Sequence, residues 1–278
     1  MSLIIQISDT HFGTEQLPVL QALRDCIREQ APQLLVLSGD ITQRARRSQF
    51  AAARAFIDSL PAIPLLALPG NHDIPLFNVA ARMLAPYAGY RAAFGNALEP
   101  EFESTDLLAL AVNTTRPYRH ADGEVSKQQI ERVARRLALA KPRQLRLVVT
   151  HQPICVTRPE DHKNLLHGHL PAMRRWAEAG ADCVLGGHIH LPYVCALHEA
   201  GHGLARRIWA VQAGTALSSR VRHGAPNSIN LIRHARNDMT CTVERWDFDS
   251  ATQRFVPVTQ HRLDLDRGNM PQQVATSE

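Results

Sequence analysis

The chain has 278 residues, 45% of them hydrophobic and 21% charged, which allows a buried core as one large domain or two small ones. Its formal charge is +5 with histidine neutral, a mild basicity that suits an anionic substrate and is too weak to indicate nucleic acid. Five cysteines, at positions 26, 155, 183, 195 and 241, form no C-x-x-C pair and read as reduced, mostly buried thiols of a cytoplasmic protein. The N-terminus has no basic region followed by a long apolar stretch, so no signal peptide is expected. No apolar run reaches the length of a membrane span.

In chain order, Leu3–Ile7 predicts a strand that ends in Ser8-Asp9-Thr10-His11. Leu17–Gln30 predicts a helix with Leu20, Leu23 and Ile27 on one face. Leu34–Leu37 is a strand leading into Ser38-Gly39-Asp40. Ser48–Leu60 predicts a helix with Ser48 as its cap. Pro64–Leu68 is a strand leading into Gly70-Asn71-His72-Asp73, and Leu107–Val112 is a strand ending at Asn113. Ser126–Ala140 predicts a Ser-capped helix carrying Ile130, Val133 and Leu137. Leu145–Val149 runs into His151-Gln152-Pro153, and Cys183–Leu185 into Gly186-Gly187-His188-Ile189-His190. Short apolar runs bounded by Gly and Pro are buried strands, and their alternation with helices makes the fold α/β. Later strands at Tyr193–Leu197, Ile208–Gln212, Ile229–Ile232, Thr240–Phe248 and Phe255–His261 lack long intervening helices, which suggests a second, largely antiparallel sheet packed on the first. One domain over residues 1–264 and a flexible tail over 265–278 are expected.

Polar groups therefore gather where strands end, the rim at which α/β sheets bind ligands. Asp9 and His11 stand two apart, and residues i and i+2 of a strand point the same way, so both can reach one ion. His188 and His190 repeat the spacing. Asp40 follows a glycine and offers a carboxylate able to bridge two metals, Asn71 offers a carboxamide oxygen, and His151 another imidazole. Imidazole, carboxylate and carboxamide without thiolate suit Mn, Fe, Zn, Co or Ni, and argue against a structural zinc site of the cysteine type.

The ordered series Asp9-x-His11, Gly39-Asp40, Gly70-Asn71-His72-Asp73, His151 and Gly187-His188-x-His190 resembles the calcineurin-like metallophosphoesterase superfamily, from residue 3 to about residue 261. The resemblance implies a four-layer αββα sandwich of two mixed sheets flanked by helices. It implies that Asp9, His11 and His190 hold one metal, that Asn71, His151 and His188 hold a second, and that Asp40 bridges them. It also implies that His72 faces the substrate phosphate without binding metal. Ser-Asp-Thr-His with Gly-Asn-His-Asp is similar to class III cyclic nucleotide phosphodiesterases and glycerophosphodiesterases. Those enzymes often carry two histidines where this chain has His151-Gln152-Pro153.

The expected activity is hydrolysis of a small phosphodiester, by attack of a hydroxide bridging two metal ions, with Mn, Fe or Zn foremost. His72 would stabilise a phosphoryl oxygen or protonate the leaving group. Asp73 would either orient and charge His72 or serve as a turn residue bonding the backbone. A phosphomonoesterase or a nucleotide-linked pyrophosphohydrolase is the alternative. A non-catalytic scaffold would be expected to lack ligands, which are complete here. No DNA-binding domain or aromatic–basic stripe is present, which disfavours nucleic acid as a partner, and similar enzymes often form homodimers. Residues 74–105 and 155–170 are expected to supply the specificity-setting rim.

Overall fold

Alternate side chains of each inner strand meet different partners, and this explains why the apolar runs are continuous. In the computed structural model, residues 2–266 are described except Ala200, His202, His223 and Asn237. Strand β1 (Ser2–Ile7) sends Ile5 and Ile7 toward helix α1 (Leu17–Gln30), while Ile4 faces the opposite sheet. Strand β2 (Leu34–Ser38) divides in the same way, with Leu35 and Leu37 outward and Leu34 and Val36 inward. A strand buried on both faces has no polar side to show as alternation. Each fully buried Leu or Ile contributes about 1.5–3 kcal/mol by leaving water.

The first sheet has the order β12 (Arg254–Asp264), β11 (Thr240–Asp249), β10 (Ser228–His234), β1, β2, β3 (Leu65–Leu68), with β3 parallel to β2 and β2 parallel to β1. Helices α1 and α2 (Arg47–Asp58) cover its outer face. After β3 come two short helices, α3 (Val79–Leu84) and α4 (Ala88–Phe94), which the sequence reading did not assign. The second sheet has the order β4-β5-β6-β7-β9-β8. Its strands are β4 (Glu101–Glu103), β5 (Leu107–Ala111), β6 (Leu145–Val149), β7 (Cys183–Gly186), β8 (Tyr193–Ala196) and β9 (Trp209–Gln212). Strands β5, β6, β7 and β9 run parallel. Helices α5 (Lys127–Ala138) and α6 (His169–Glu178) cover this sheet through Ile130, Val133, Leu137, Met173 and the fully buried Trp176. The two sheets meet face to face through Leu34, Val36, Leu66 and Leu68 against Ala109, Leu147, Val149 and Leu185.

The fold class is thus the four-layer αββα sandwich of two mixed sheets, with six strands in each. The late strands do not form a sheet of their own, as the sequence reading suggested. Strands β10 (Ser228–His234), β11 (Thr240–Asp249) and β12 (Arg254–Asp264) extend the first sheet antiparallel from β1, whereas β8 and β9 complete the second. Hairpin patterning fixes local pairing and says nothing about which existing edge accepts the hairpin.

Helix starts also differ in detail. Ser126 caps α5 as expected: its Oγ accepts the Gln129 N–H at 3.2 Å, and Gln129 Oε1 accepts the Ser126 N–H at 3.0 Å. Ser48 does not cap α2, which begins one residue earlier. Gln49 Oε1 instead accepts the N–H groups of Arg44 and Arg46, at 2.9 and 3.4 Å. Leu265, placed in the tail by sequence, is 4% exposed, and its N–H donates to the Met239 carbonyl. The rest of the expected tail, residues 267–278, lies outside the described residues.

Candidate metal centre

The C-terminal ends of β1, β2 and β3 and those of β6 and β7 point to one rim, and their following loops carry the seven expected ligands. The side chains do not converge by strand alternation. Asp9, His11, Asp40, His188 and His190 all have positive φ, between 42° and 73°. A non-glycine residue there is strained by about 1–3 kcal/mol and persists only where its surroundings hold it. Successive left-handed residues turn Asp9 and His11, and likewise His188 and His190, back toward a common point.

His11 Nε2 and His190 Nε2 are 3.1 Å apart, and Asp9 Oδ1 stands 3.9 and 3.2 Å from them. Ligand atoms about 2.0–2.1 Å from one ion lie roughly 3 Å from each other, so this triangle has the dimensions of a coordination sphere. Asp40 turns its two oxygens in different directions: Oδ1 lies 3.2 Å from His151 Nε2, and Oδ2 lies 3.8 Å from His11 Nε2. Three overlapping donor groups result: Asp9 with His11 and His190, His11 with Asp40 and His72, and Asp40 with His151 and His188.

The outward atoms of several ligands are already held. His151 Nδ1 contacts the Ser38 carbonyl at 2.8 Å, His190 Nδ1 contacts the Arg220 carbonyl, and Asp9 Oδ2 accepts from Ser8 Oγ at 2.6 Å and from the His188 N–H at 2.9 Å. Such partners fix the ring orientation of a ligating histidine. The inward atoms lack hydrogen bonds: Asn71 Oδ1, His151 Nε2 and His188 Nδ1 are all buried without one. A stranded buried polar atom costs about 1–3 kcal/mol, and a cation is the group that satisfies lone pairs from an amide and two imidazoles together. The residues therefore fit a metal site.

Close packing enforces the geometry. A Cβ on Gly70 would stand 2.2 Å from Asp40 Oδ1, and one on Gly187 would stand 2.5 Å from Asp9 Oδ2. At Asp9, Asp40, His11 and His188 the electrostatics agree with ligation. Full burial opposes ionisation of Asp9, yet His190 beside it brings its pKa down to about 2. Asp40 is likewise buried, and His151 and His72 hold it well below the usual carboxylate range. Burial keeps His11 and His188 neutral, with values lowered to about 3 and about 4. Neutral imidazole and ionised carboxylate are the forms that bind metal. His151 is the exception: burial opposes its protonation, but ionised Asp40 outweighs burial and lifts the value to about 9, so a cation bound there would have to displace a proton from His151 Nε2.

His72 projects into a cleft of about 550 Å³ with Asp40, Asn71, His188 and His190. Its backbone N–H donates to Asp40 Oδ1 at 2.8 Å, its Nδ1 lies 2.9 Å from the Gln43 carbonyl, and its Nε2 lies 3.1 Å from Arg220 Nη1. Asp73 follows His72 in the same short turn. Its carboxylate accepts the N–H groups of Ile41, Thr42 and Gly70 and the Thr42 hydroxyl, at 2.8–3.0 Å, and so ties the Asp40 loop to the Asn71 loop. The Gln43 carbonyl, not Asp73, orients the His72 ring.

Sequence reasoning missed Arg220, Gln43 and Ser8, whose roles depend on contacts across the chain. Thr215 lies behind the site, donating to the Asp9 carbonyl at 2.6 Å. Asn113 terminates its strand by accepting from Thr115. From the expected rim, Asp161 and Asn164 line the cleft, whereas His167 is exposed near Asp122.

Two six-stranded sheets with carboxylates and histidines gathered at the shared rim are the fold of a metallophosphoesterase. The profile of the calcineurin-like phosphoesterase family matches residues 2–192, and the chain belongs to that family, one of phosphoester hydrolases. A Synechococcus protein named as a probable cyclic nucleotide phosphodiesterase is 26% identical over 164 residues. The match spans 55% of this chain and 59% of that relative, a little over half its length. The fold is similar to a purple acid phosphatase from yellow lupin, with a TM-score of 0.71 and 12% identity over 97% of this chain and 55% of the other. It is also similar to a dimetal phosphatase from Danio rerio, with a TM-score of 0.65 and 15% identity over 95% of this chain and 99% of the other. Among the described residues no helix is long and apolar enough to cross a membrane.

Proposed function

We propose that the protein hydrolyses phosphodiester bonds of a small substrate, a cyclic nucleotide or a glycerophosphodiester, with two metal ions at the rim of its sheets. Asp9, His11 and His190 would hold one ion, Asn71, His151 and His188 the other, and Asp40 both. The observation that carries this reading is the disposition of Asp40, whose two oxygens face His151 and His11, members of the two donor sets. Bound there, the cations supply Lewis acidity toward phosphoryl oxygens and lower the pKa of a water.

The chain's own residues define what the site accepts. Asp9 and Asp40 are the only carboxylates among the seven ligands, so two divalent ions leave a net positive site that attracts an anion. The orphaned atoms of Asn71, His151 and His188 give the second ion a ligand set with one neutral oxygen and two imidazoles. His72 stands at the mouth beside these donors, placed to contact a phosphoryl oxygen or the departing alkoxide. The Synechococcus relative supports a diester over a monoester, and the phosphatase neighbours support the fold alone.

The test compares hydrolysis of bis(p-nitrophenyl) phosphate and p-nitrophenyl phosphate by the purified protein, with Mn²⁺ and with EDTA. Faster, EDTA-sensitive cleavage of the diester is expected, and preference for the monoester would turn the reading to a phosphatase. His72→Ala should lower kcat by about 10²–10⁴-fold while metal content stays at the wild-type level. Loss of both metals in that variant would show His72 to be a ligand.

A further inference from the structure

Arg220 lies in the loop between β9 and β10, at the cleft mouth. Two arginines of this loop line the cleft, and they are in opposite electrostatic situations. Arg222 is neutralised: its Nη1 donates to both oxygens of Asp161 at 2.9 Å, and its Nη2 lies 3.7 Å from Glu160. Arg220 has no carboxylate among its contacts in the described residues. Its Nη1 reaches Gln43 Oε1 and His72 Nε2, each at 3.1 Å. A guanidinium has five donors and no acceptor, so His72 Nε2 accepts this bond, and His72 Nδ1–H donates to the Gln43 carbonyl at 2.9 Å. Both His72 nitrogens are then engaged, and Arg220 brings to the mouth a permanent charge that no carboxylate among the described residues offsets.

The position of Arg220 is fixed from two sides. Its carbonyl accepts from His190 Nδ1, which locks the backbone to a proposed metal ligand, and Gln43 holds the guanidinium. Gln43 thereby positions both groups at the mouth, His72 through its carbonyl and Arg220 through its side chain. An unneutralised arginine held over a cleft by neutral acceptors is an anion receptor: an arriving phosphoryl oxygen replaces weak acceptors with a charged one.

We propose that Arg220 is the substrate-binding cation of this site, holding a non-bridging phosphoryl oxygen beside His72 Nε2. The proposal rests on the phosphoester-hydrolase reading given above. It divides the work at the mouth: Arg220 supplies charge, and His72 is released from Arg220 to face the phosphoryl group or the leaving oxygen.

The experiment uses the full-length, metal-loaded protein and inorganic phosphate as probe. Phosphate affinity is measured by calorimetry and by competition against bis(p-nitrophenyl) phosphate, with metal content measured on the same samples. Arg220→Gln should weaken phosphate binding about 10- to 100-fold and raise KM more than it lowers kcat, with metal content unchanged. Arg220→Lys, which keeps the charge and loses the fork, should fall between. If Arg220→Gln binds phosphate as tightly as wild type while wild type cleaves the diester, this proposal fails and the hydrolase reading stands. Loss of metal along with phosphate affinity in both variants would also overturn it, since the residue would then act through His190. If wild type binds phosphate through Arg220 yet cleaves no phosphoester, the hydrolase reading fails and the binding site stands.

Discussion

Replacing Asp73 by Asn tests whether this carboxylate is a brace or a catalytic group. Asp73 is 1% exposed and receives donors on both oxygens: Thr42 N–H and Oγ–H on Oδ1, Ile41 N–H and Gly70 N–H on Oδ2. An asparagine keeps one oxygen and sets an NH₂ against the other pair, whichever way it is turned. Turned toward Ile41 and Gly70 the NH₂ strands two N–H groups; turned toward Thr42 it strands one, since the hydroxyl can accept from it, at about 1–3 kcal/mol for each stranded group. With a loss of about 2–4 kcal/mol, Tm should fall by roughly 4–16 °C in a protein of this size. The measurement is thermal unfolding in EDTA, so that metal linkage does not enter the difference. Metal content should fall as well, because the stranded donors flank Asp40 and Asn71. If Asp73→Asn melts within about 2 °C of wild type, keeps its metals and loses kcat 100-fold, the bracing argument is wrong. The carboxylate would then act on His72.

Asp40→Asn removes one of two carboxylates and the only ligand facing both donor sets, so metal content should drop below two per chain by elemental analysis; two tightly held ions would contradict its bridging position. Glu103 is paired with Lys141, Gln144 and Arg136, which lower its pKa from 4.5 to about 2. A folded value below the unfolded one contributes stability that is complete above about pH 4.5 and is lost as pH falls toward 2. Glu103→Gln should therefore be less stable than wild type at pH 7, with the gap closing between pH 5 and 2 in denaturant titrations. A gap constant with pH would show that the ion pairs contribute nothing.

The strands and the rim were legible because each apolar run that ends in Asp9, Asp40, Asn71, His151 or His188 is bounded by a chemically distinct loop. The seven residues expected to hold metal do lie together. The means of convergence was not legible: an i, i+2 spacing implies strand geometry, whereas Asp9 and His11 lie beyond β1 with left-handed φ. Backbone strain depends on what surrounds the loop and leaves no local signal. The cap of α2 was misread because Ser48 is the stronger local candidate, while Gln49 wins by accepting from a loop that folds back. Helix α6 went unassigned: its face of Ala172, Met173, Trp176 and Ala177 follows a Gly- and His-rich stretch that reads as loop, with Pro171 in the first turn. Arg220 was invisible for a plainer reason. Nothing near it in sequence marks it, and its partners His72 and Gln43 lie 148 and 177 positions away.

The division of the donors between the sheets has a consequence for how the chain matures. Asp9, His11, Asp40 and Asn71 follow strands of the first sheet, while His151, His188 and His190 follow strands of the second. Each proposed ion draws from both, so neither half-formed sheet owns a complete coordination sphere. His11 and His190 touch across 179 positions, and a growing polypeptide cannot assemble the proposed centre until His190, about two-thirds of the way along these 278 residues, has been made. Metal capture would therefore be a late event, one that reports correct docking of the two layers. Ions bound as proposed would act as staples across the sandwich, opposing its separation at the rim where polar loops, rather than apolar side chains, face each other.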